Sequence, residues 1–268
     1  MVTRFEQWRG ILTSSLCALL TAVVVPPLTL AQPDVTPPKA DQLLQVVPTA
    51  TDPLQSPFPL PWTWIEQGHE AALKAQKPLS YRQQTARYVS PDGRYVAEAT
   101  LYFQAAPQAF EQQLTSILEI TDLHTGDRQR INSLQEVPRE FLAEVPRHQG
   151  LIAVLVPVGW SQRDNRLLVR QFMGLFASDL VTDAAWIWQP GRGHVATVYP
   201  TAADYDVATL LGWSHTYPDQ VLFQTHVMGD AQATLWAVDS HGSTQLAQGD
   251  RPAVYGTTLP ATATARQP

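Results

Sequence analysis

From Ala86 to about Gln248 the apolar residues come in short runs rich in Val, Ile, Leu, Trp and Phe, cut by clusters of Gly, Asp, Ser and Pro. That is a pattern of strands and turns, because β-branched and aromatic side chains suit a pleated surface and Gly or Asp tolerates the backbone of a tight turn. The same order recurs three times: strand, turn, strand, loop, strand, tight turn, strand. The first unit, about 86–134, opens on Tyr88-Val89 and Ser90-Pro91-Asp92-Gly93-Arg94. It continues through Ala97–Phe103 and Ser116–Leu123 and turns at His124-Thr125-Gly126 before Arg128–Ile131. The second, about 151–200, has Leu151–Val158, Gly159-Trp160-Ser161, Arg166–Met173, Ala184–Gln189, Gly191-Arg192-Gly193 and His194–Tyr199. The third, about 207–250, has Thr209–Leu211, Gly212-Trp213-Ser214, Gln220–Val227, Ala233–Val238, the turn Asp239–Gly242 and Ser243–Gln248. Each unit is thus expected to be a four-stranded antiparallel meander, and such repeats decide a fold. In Arg166–Met173 apolar residues begin on both faces, which predicts strands buried on two sides.

Upstream the pattern is different. Thr63 to Lys77 reads as a helix placed between Pro61 and Pro78, with a loose stripe of Trp64, Ile65, Ala72 and Leu73. Trp62 and Trp64 are expected to lid the core, with a membrane-surface or partner contact as the alternative. Gln32 to Pro61 holds prolines at 33, 37, 38, 48, 53, 57, 59 and 61 and reads as a disordered tether, up to ~90 Å long at ~3.1 Å per residue. A motif for a proline-recognising groove is its sharper alternative. Before it, Arg4 and Arg9 precede an uncharged run from Ile11 to Val25, then Pro26-Pro27 and Thr29-Leu30-Ala31. Residues 1–31 therefore read as a secretory signal peptide cleaved between Ala31 and Gln32, since the run falls short of the ~20 apolar residues of a membrane span. An uncleaved anchor is the competing reading. Residues 132–150, with Phe141 and Leu142 between prolines, are too short and helix-like for a fourth unit, and Thr257 to Pro268 reads as a mobile tail.

Ser90-Pro91-Asp92-Gly93-Arg94, together with Ile120-Thr121-Asp122-Leu123 and Thr125-Gly126, resembles the Ser-Pro-Asp-Gly class of β-propeller repeat found in TolB-like proteins and prolyl oligopeptidase propellers. In that class the Ser-Pro-Asp-Gly turn joins the first two strands of a blade, and a later Asp turn joins the last two. The second and third units keep a Trp-Ser step, at Trp160-Ser161 and Trp213-Ser214, but lack Pro-Asp-Gly. The resemblance covers about 86–250 and implies an all-β fold, a partial β-propeller of three four-stranded blades within a domain of 62–256. Closed propellers typically use about four to eight blades. Three units imply either an open form or a ring completed by a homo-oligomer.

Charge narrows the partners. The chain has 18 Lys and Arg against 24 Asp and Glu, and removal of Arg4, Arg9 and Glu6 with the signal leaves a net −7. No nucleic-acid partner is expected on this count, because phosphate contacts need clustered cations. Cys17, the one cysteine, leaves with the signal, so no disulfide or thiolate metal site is expected.

The familiar chemistries fail one by one. Gly159-Trp160-Ser161-Gln162-Arg163 and Gly212-Trp213-Ser214-His215-Thr216 lack the final glycine of a nucleophile elbow. His69-Glu70 has no second histidine one turn on and reads as a solvated helix residue. Asp204 with Asp206, or Asp179 with Asp183, lack a calcium-loop glycine, and Gly191-Arg192-Gly193 is a hairpin turn, not a phosphate loop. No catalytic residue, metal ligand or cofactor is assigned and the binding residues are left open. The expected function is an exported, periplasmic or extracellular, non-enzymatic binding or scaffold protein that presents the β module to an envelope protein. The alternatives are an envelope hydrolase or lyase with loop-borne acids, which convergent carboxylates or a His–acid pair in a cleft would favour, and a small-ligand binder stacking on Trp160, Trp213 or Trp236. Those tryptophans fall where the unit cores lie, so packing is their expected role.

Overall fold

A computed structural model of the chain describes residues 52–144, 150–202, 204–227, 229 and 232–261. The expected signal segment and cleavage site, the expected tether up to residue 51 and the expected tail from 262 lie outside the described residues. The fold is mostly β, as the hydrophobic pattern predicts. Helix α1 spans Trp62–Ala75, starting and ending slightly earlier than expected. Gln76 adopts a left-handed conformation and Lys77 donates to the Ala72 carbonyl, which ends the helix just before Pro78. The buried face is Ile65, Gly68 and Ala72, whereas Leu73 points to solvent at 48% exposure. Trp62 packs on Phe176 and Trp64 on Phe103, so both act as a lid over the core.

Strands β1 (Leu79–Gln84), β2 (Arg87–Val89), β3 (Tyr95–Ala105), β4 (Gln113–Asp122) and β5 (Arg128–Asn132) are followed by the short helix α2 (Arg139–Glu144). β3 and β4 pair over their whole length, from Tyr95 opposite Asp122 to Gln104 opposite Gln113. Each long strand then changes its outer partner midway. β3 pairs β2 at Val96–Ala97 and β1 from Thr100 onward, while β4 pairs β5 at Ile117–Thr121 and, in parallel, β6 (Leu151–Trp160) at Leu114–Thr115. Beyond β6 follow β7 (Leu167–Leu175), β8 (Val181–Gln189) and β9 (Gly193–Val198), each antiparallel to its predecessor. With β15 (Thr257–Leu259) on the outer edge of β2, the result is a ten-stranded, curled, half-barrel sheet. Strands β10 (Val207–Ser214), β11 (Val221–His226), β12 (Thr234–Val238) and β13 (Thr244–Leu246) make a second antiparallel sheet, edged by β14 (Pro252–Ala253). Consecutive strands of all three sequence units therefore pair as meanders, and the first two units are fused through the parallel contact of β4 with β6.

The core follows from this fork. Tyr95, Leu118 and Ile120 meet Trp160, Val169, Trp186 and Trp188 in the wedge where β5 and β6 diverge. Leu168, Ala185 and Ile187, on the opposite face of the fused sheet, pack on Leu210, Trp213 and Phe223 of the second sheet. Strand β7, which supplies both layers, is buried on both faces as its sequence predicts.

Turn serines Ser90 and Ser161 make the same pair of hydrogen bonds, and Ser214 makes a related pair to two different residues. The hydroxyls of Ser90, Ser161 and Ser214 accept from the amides of Tyr95, Arg166 and Tyr217, and their own amides donate to Tyr95, Arg166 and Gln220 carbonyls. Ser161 and Ser214 are thus turn-closing residues.

Two expectations are corrected. Asp52 to Pro61, expected within the tether, is built into the core, with Asp52, Leu54, Ser56 and Leu60 buried. The Asp52 carboxylate gathers the amides of Leu54, Ser56 and Leu60, and the prolines at 53, 57 and 59 bring no amide that needs a partner. The start of the supposed mobile tail is strand β15 (Thr257–Leu259), antiparallel to β2. With β14 it forms a strap across the first strand of every unit: Ala253 opposes Trp213, Tyr255 bridges Trp160, and Thr257 opposes Val89. Gly159 admits the strap, since a Cβ there would lie 2.4 Å from Val254 Cγ1.

Candidate functional site

The outer face of β1, β3, β4 and β5 carries an open polar groove of about 330 Å³. Alternation builds it: from Ala97 onward the odd residues of β3, and the even residues of β4 up to Ile120, go to the core, leaving Glu98, Thr100 and Tyr102 beside Ile117 and Glu119 on the outside. Register then sets the rows. Glu98 opposes Glu119, which opposes Arg130; Gln84 opposes Thr100, which opposes Ile117; Arg82 opposes Tyr102. Arg128 closes one side.

The charges are unevenly satisfied. Both Glu119 oxygens are taken, Oε2 by Arg130 at 2.7 Å and Oε1 by Arg128 at 3.5 Å. Arg82 and Glu98, by contrast, make no ion pair or hydrogen bond among the described residues, although Glu98 stands directly across from another carboxylate. Like charges in that position destabilise a strand pair. The groove therefore offers one free cation and one free anion on a rigid sheet.

A different ionic cluster explains why the segment before α1 is folded. Arg170 on β7 is fully buried; it donates to Asp52 through Nη1 (2.7 Å) and Nη2 (3.0 Å), to Asp183 through Nε (2.8 Å) and to the Phe58 carbonyl (2.9 Å). Its guanidinium also lies over the Phe172 ring. Burial alone would raise the Asp52 carboxyl, but Arg170 and the amides of Leu60 and Leu54 outweigh it and hold that group below its ordinary value. At Asp183 burial prevails over Arg170 and the Leu210 amide and pushes the carboxyl up to about 6. Asp183 is thus an internal counter-ion, which answers its calcium reading with Asp179.

A third arrangement sits on edge strand β9. His194 stacks flat on Trp186, with ring centres 4.7 Å apart. Its Nε2 lies 3.0 Å from Thr197 Oγ1 and its Nδ1 3.8 Å from Glu136 Oε2, which also accepts from Trp186 Nε1. This is a His–acid pair with a hydroxyl on its far side.

The other sequence candidates take structural places. His69 is half-buried, its Nδ1 against the Ala106 carbonyl and the Gln112 amide, and is not the solvated helix residue expected. Trp160 and Trp213 are buried, with Trp160 Nε1 donating to the Tyr88 carbonyl; Trp236 is half-buried and donates to Thr225. Gly191-Arg192-Gly193 turns between β8 and β9, and Asp204 and Asp206 lie just before β10. Sequence reasoning missed the groove because its residues are alternate positions of four strands, and only the register makes them neighbours. The one available signal was the alternation itself in Glu98-Ala99-Thr100-Leu101-Tyr102. Among the described residues no helix is long and apolar enough to cross a membrane. No family model, no curated protein and no solved structure matches this chain.

Proposed function

We propose that this is an exported, non-enzymatic binding protein whose partial, propeller-like β module holds a polar ligand or partner segment of the cell envelope in the groove of β1, β3, β4 and β5. One observation carries this reading: among the described residues Arg82 and Glu98 are left without partners on a sheet whose other groove charges are matched. Charges without an internal partner break no ion pair when they meet a ligand, and only water has to leave. Treating the three units as blades rests on their turn serines and meander order, and the fused β4–β6 edge favours an open form over a closed ring. Light scattering that returns a monomer supports the open form, and a multimer supports a completed ring. The functional test is recovery of envelope components by the mature protein and by the R82Q/E98Q double variant. A reproducible partner that the variant loses supports the reading; equal recovery by both proteins defeats it.

A hydrolase is the second reading, favoured by the line Thr197, His194, Glu136. In it His194 would take the Thr197 proton and Glu136 would steady the charged ring. The two groove carboxylates suit it less, since both oxygens of Glu119 are engaged by arginine. Turnover of an ester and amide probe panel that is lost in H194A supports this reading, and equal background turnover removes it.

A further inference from the structure

Resting on the binding reading, we infer that the groove takes a short linear peptide of about four residues, held extended by its two free termini. The argument begins from where the unmatched charges lie. Arg82 is level with Tyr102, and Glu98 is four residues further along the same strand. At ~3.3 Å per residue, their rows are about 13 Å apart. An extended peptide of four residues spans the same ~13 Å, with a carboxylate at one end and an ammonium at the other.

The chemistry at each end fits that polarity. At the Glu98 end, an ammonium beside Glu98 supplies the cation that this carboxylate lacks, across the strand from Glu119. Arg130 and Arg128 already match Glu119, so Glu98 is the carboxylate with an open valence. At the other end Arg82 is exposed, and a guanidinium recognises a planar carboxylate through two parallel hydrogen bonds. Between the ends, Thr100 offers a hydroxyl to peptide amides and carbonyls, and Ile117 a small apolar contact for a side chain. Tyr102, at 38% exposure, lies under the carboxylate end. A ligand with one sign of charge would satisfy only one end and meet the wrong charge at the other.

The test uses the full chain and alanine tetrapeptide in four forms: unblocked, N-acetylated, C-amidated and doubly blocked, with binding read by calorimetry. Unblocked peptide is expected to bind, and acetylation or amidation to weaken it by about tenfold each, the scale of one charge-assisted hydrogen bond near the surface. In E98Q acetylation should make no further difference, and in R82Q amidation should make none. Both side chains lack internal partners, so both variants keep the fold, which circular dichroism checks. Equal binding of blocked and unblocked peptide overturns the inference, as does absence of heat at millimolar unblocked peptide. If peptide fails while R82Q/E98Q still loses the envelope partner, the peptide inference falls and the binding reading stands; if the variant loses nothing, both fall.

Discussion

The molecule holds two ionic clusters of nearly opposite design. In one, a single arginine is shared by two carboxylates, Asp52 and Asp183, with all three side chains at 1% exposure or less. In the other, a single carboxylate is shared by two arginines, Arg128 and Arg130, which are 63% and 70% exposed. The inner cluster joins segments 118 residues apart and leaves no group unsatisfied; the outer one lies within neighbouring strands and leaves Glu98 and Arg82 open. Burial makes the difference. Away from water a charge must be matched in place, whereas at the surface water matches it and a ligand can take water's place. The inner cluster is accordingly a structural fastening, and the outer one leaves charge open to solvent, as the proposed binding role requires.

The largest expected effect comes from removing the shared cation. R170M strands Asp52 and Asp183 without a counter-ion, and urea unfolding should show a loss of about 3–5 kcal/mol, the usual cost of breaking a buried pair from one side. Adding D52N and D183N to R170M should recover part of it; no recovery would mean that Arg170 acts through packing on Phe172 instead. Next is pH. Because Asp183 binds its proton more tightly folded than unfolded, its contribution is complete below about 4 and is lost as pH rises through about 6. Unfolding free energies from urea titrations should therefore fall between pH 5 and pH 7, by on the order of 1–3 kcal/mol at each unit's ~1.4 kcal/mol, and D183N should flatten that slope. Asp52 is displaced the other way, and its contribution fades only as pH falls below its ordinary range. Smallest is the outer cluster: E119Q should leave the thermal midpoint within experimental scatter, in low or high salt. A clear drop would give the groove a share in stability and blur the contrast between the two clusters.

How these clusters arise was unequally visible in the sequence. Turns were readable because their chemistry is local: the Asp122 side chain accepts from the amides of His124 and Thr125, and Asp239 from those of His241 and Ser243. Strand order within each unit followed from those turns. The fork was not readable, because β3 and β4 each look like one long strand and only pairing reveals that their outer partners change midway. Arg170 lies in Leu167-Leu168-Val169-Arg170-Gln171-Phe172, where an arginine reads as an interruption of the core; its partner Asp52 stands among prolines that signal irregular chain. Opposite charges far apart in sequence carry no local trace. The groove suffered from the same distance on a smaller scale, with four strands contributing two or three residues each.

The strap of residues 252–259 has a consequence for quality control. Because it lies along Trp213, Trp160 and Val89 in turn, every unit has one strand end that is covered only by the final stretch of described chain. A product cut short before Pro252 would present three uncovered edges at once, along with the hollows beside Gly159 and Gly212 that the strap fills. Bare edges invite pairing with other chains and attack by proteases. An incomplete copy is therefore marked as incomplete at three places, so the fold acts as its own test that the chain has been delivered through residue 259.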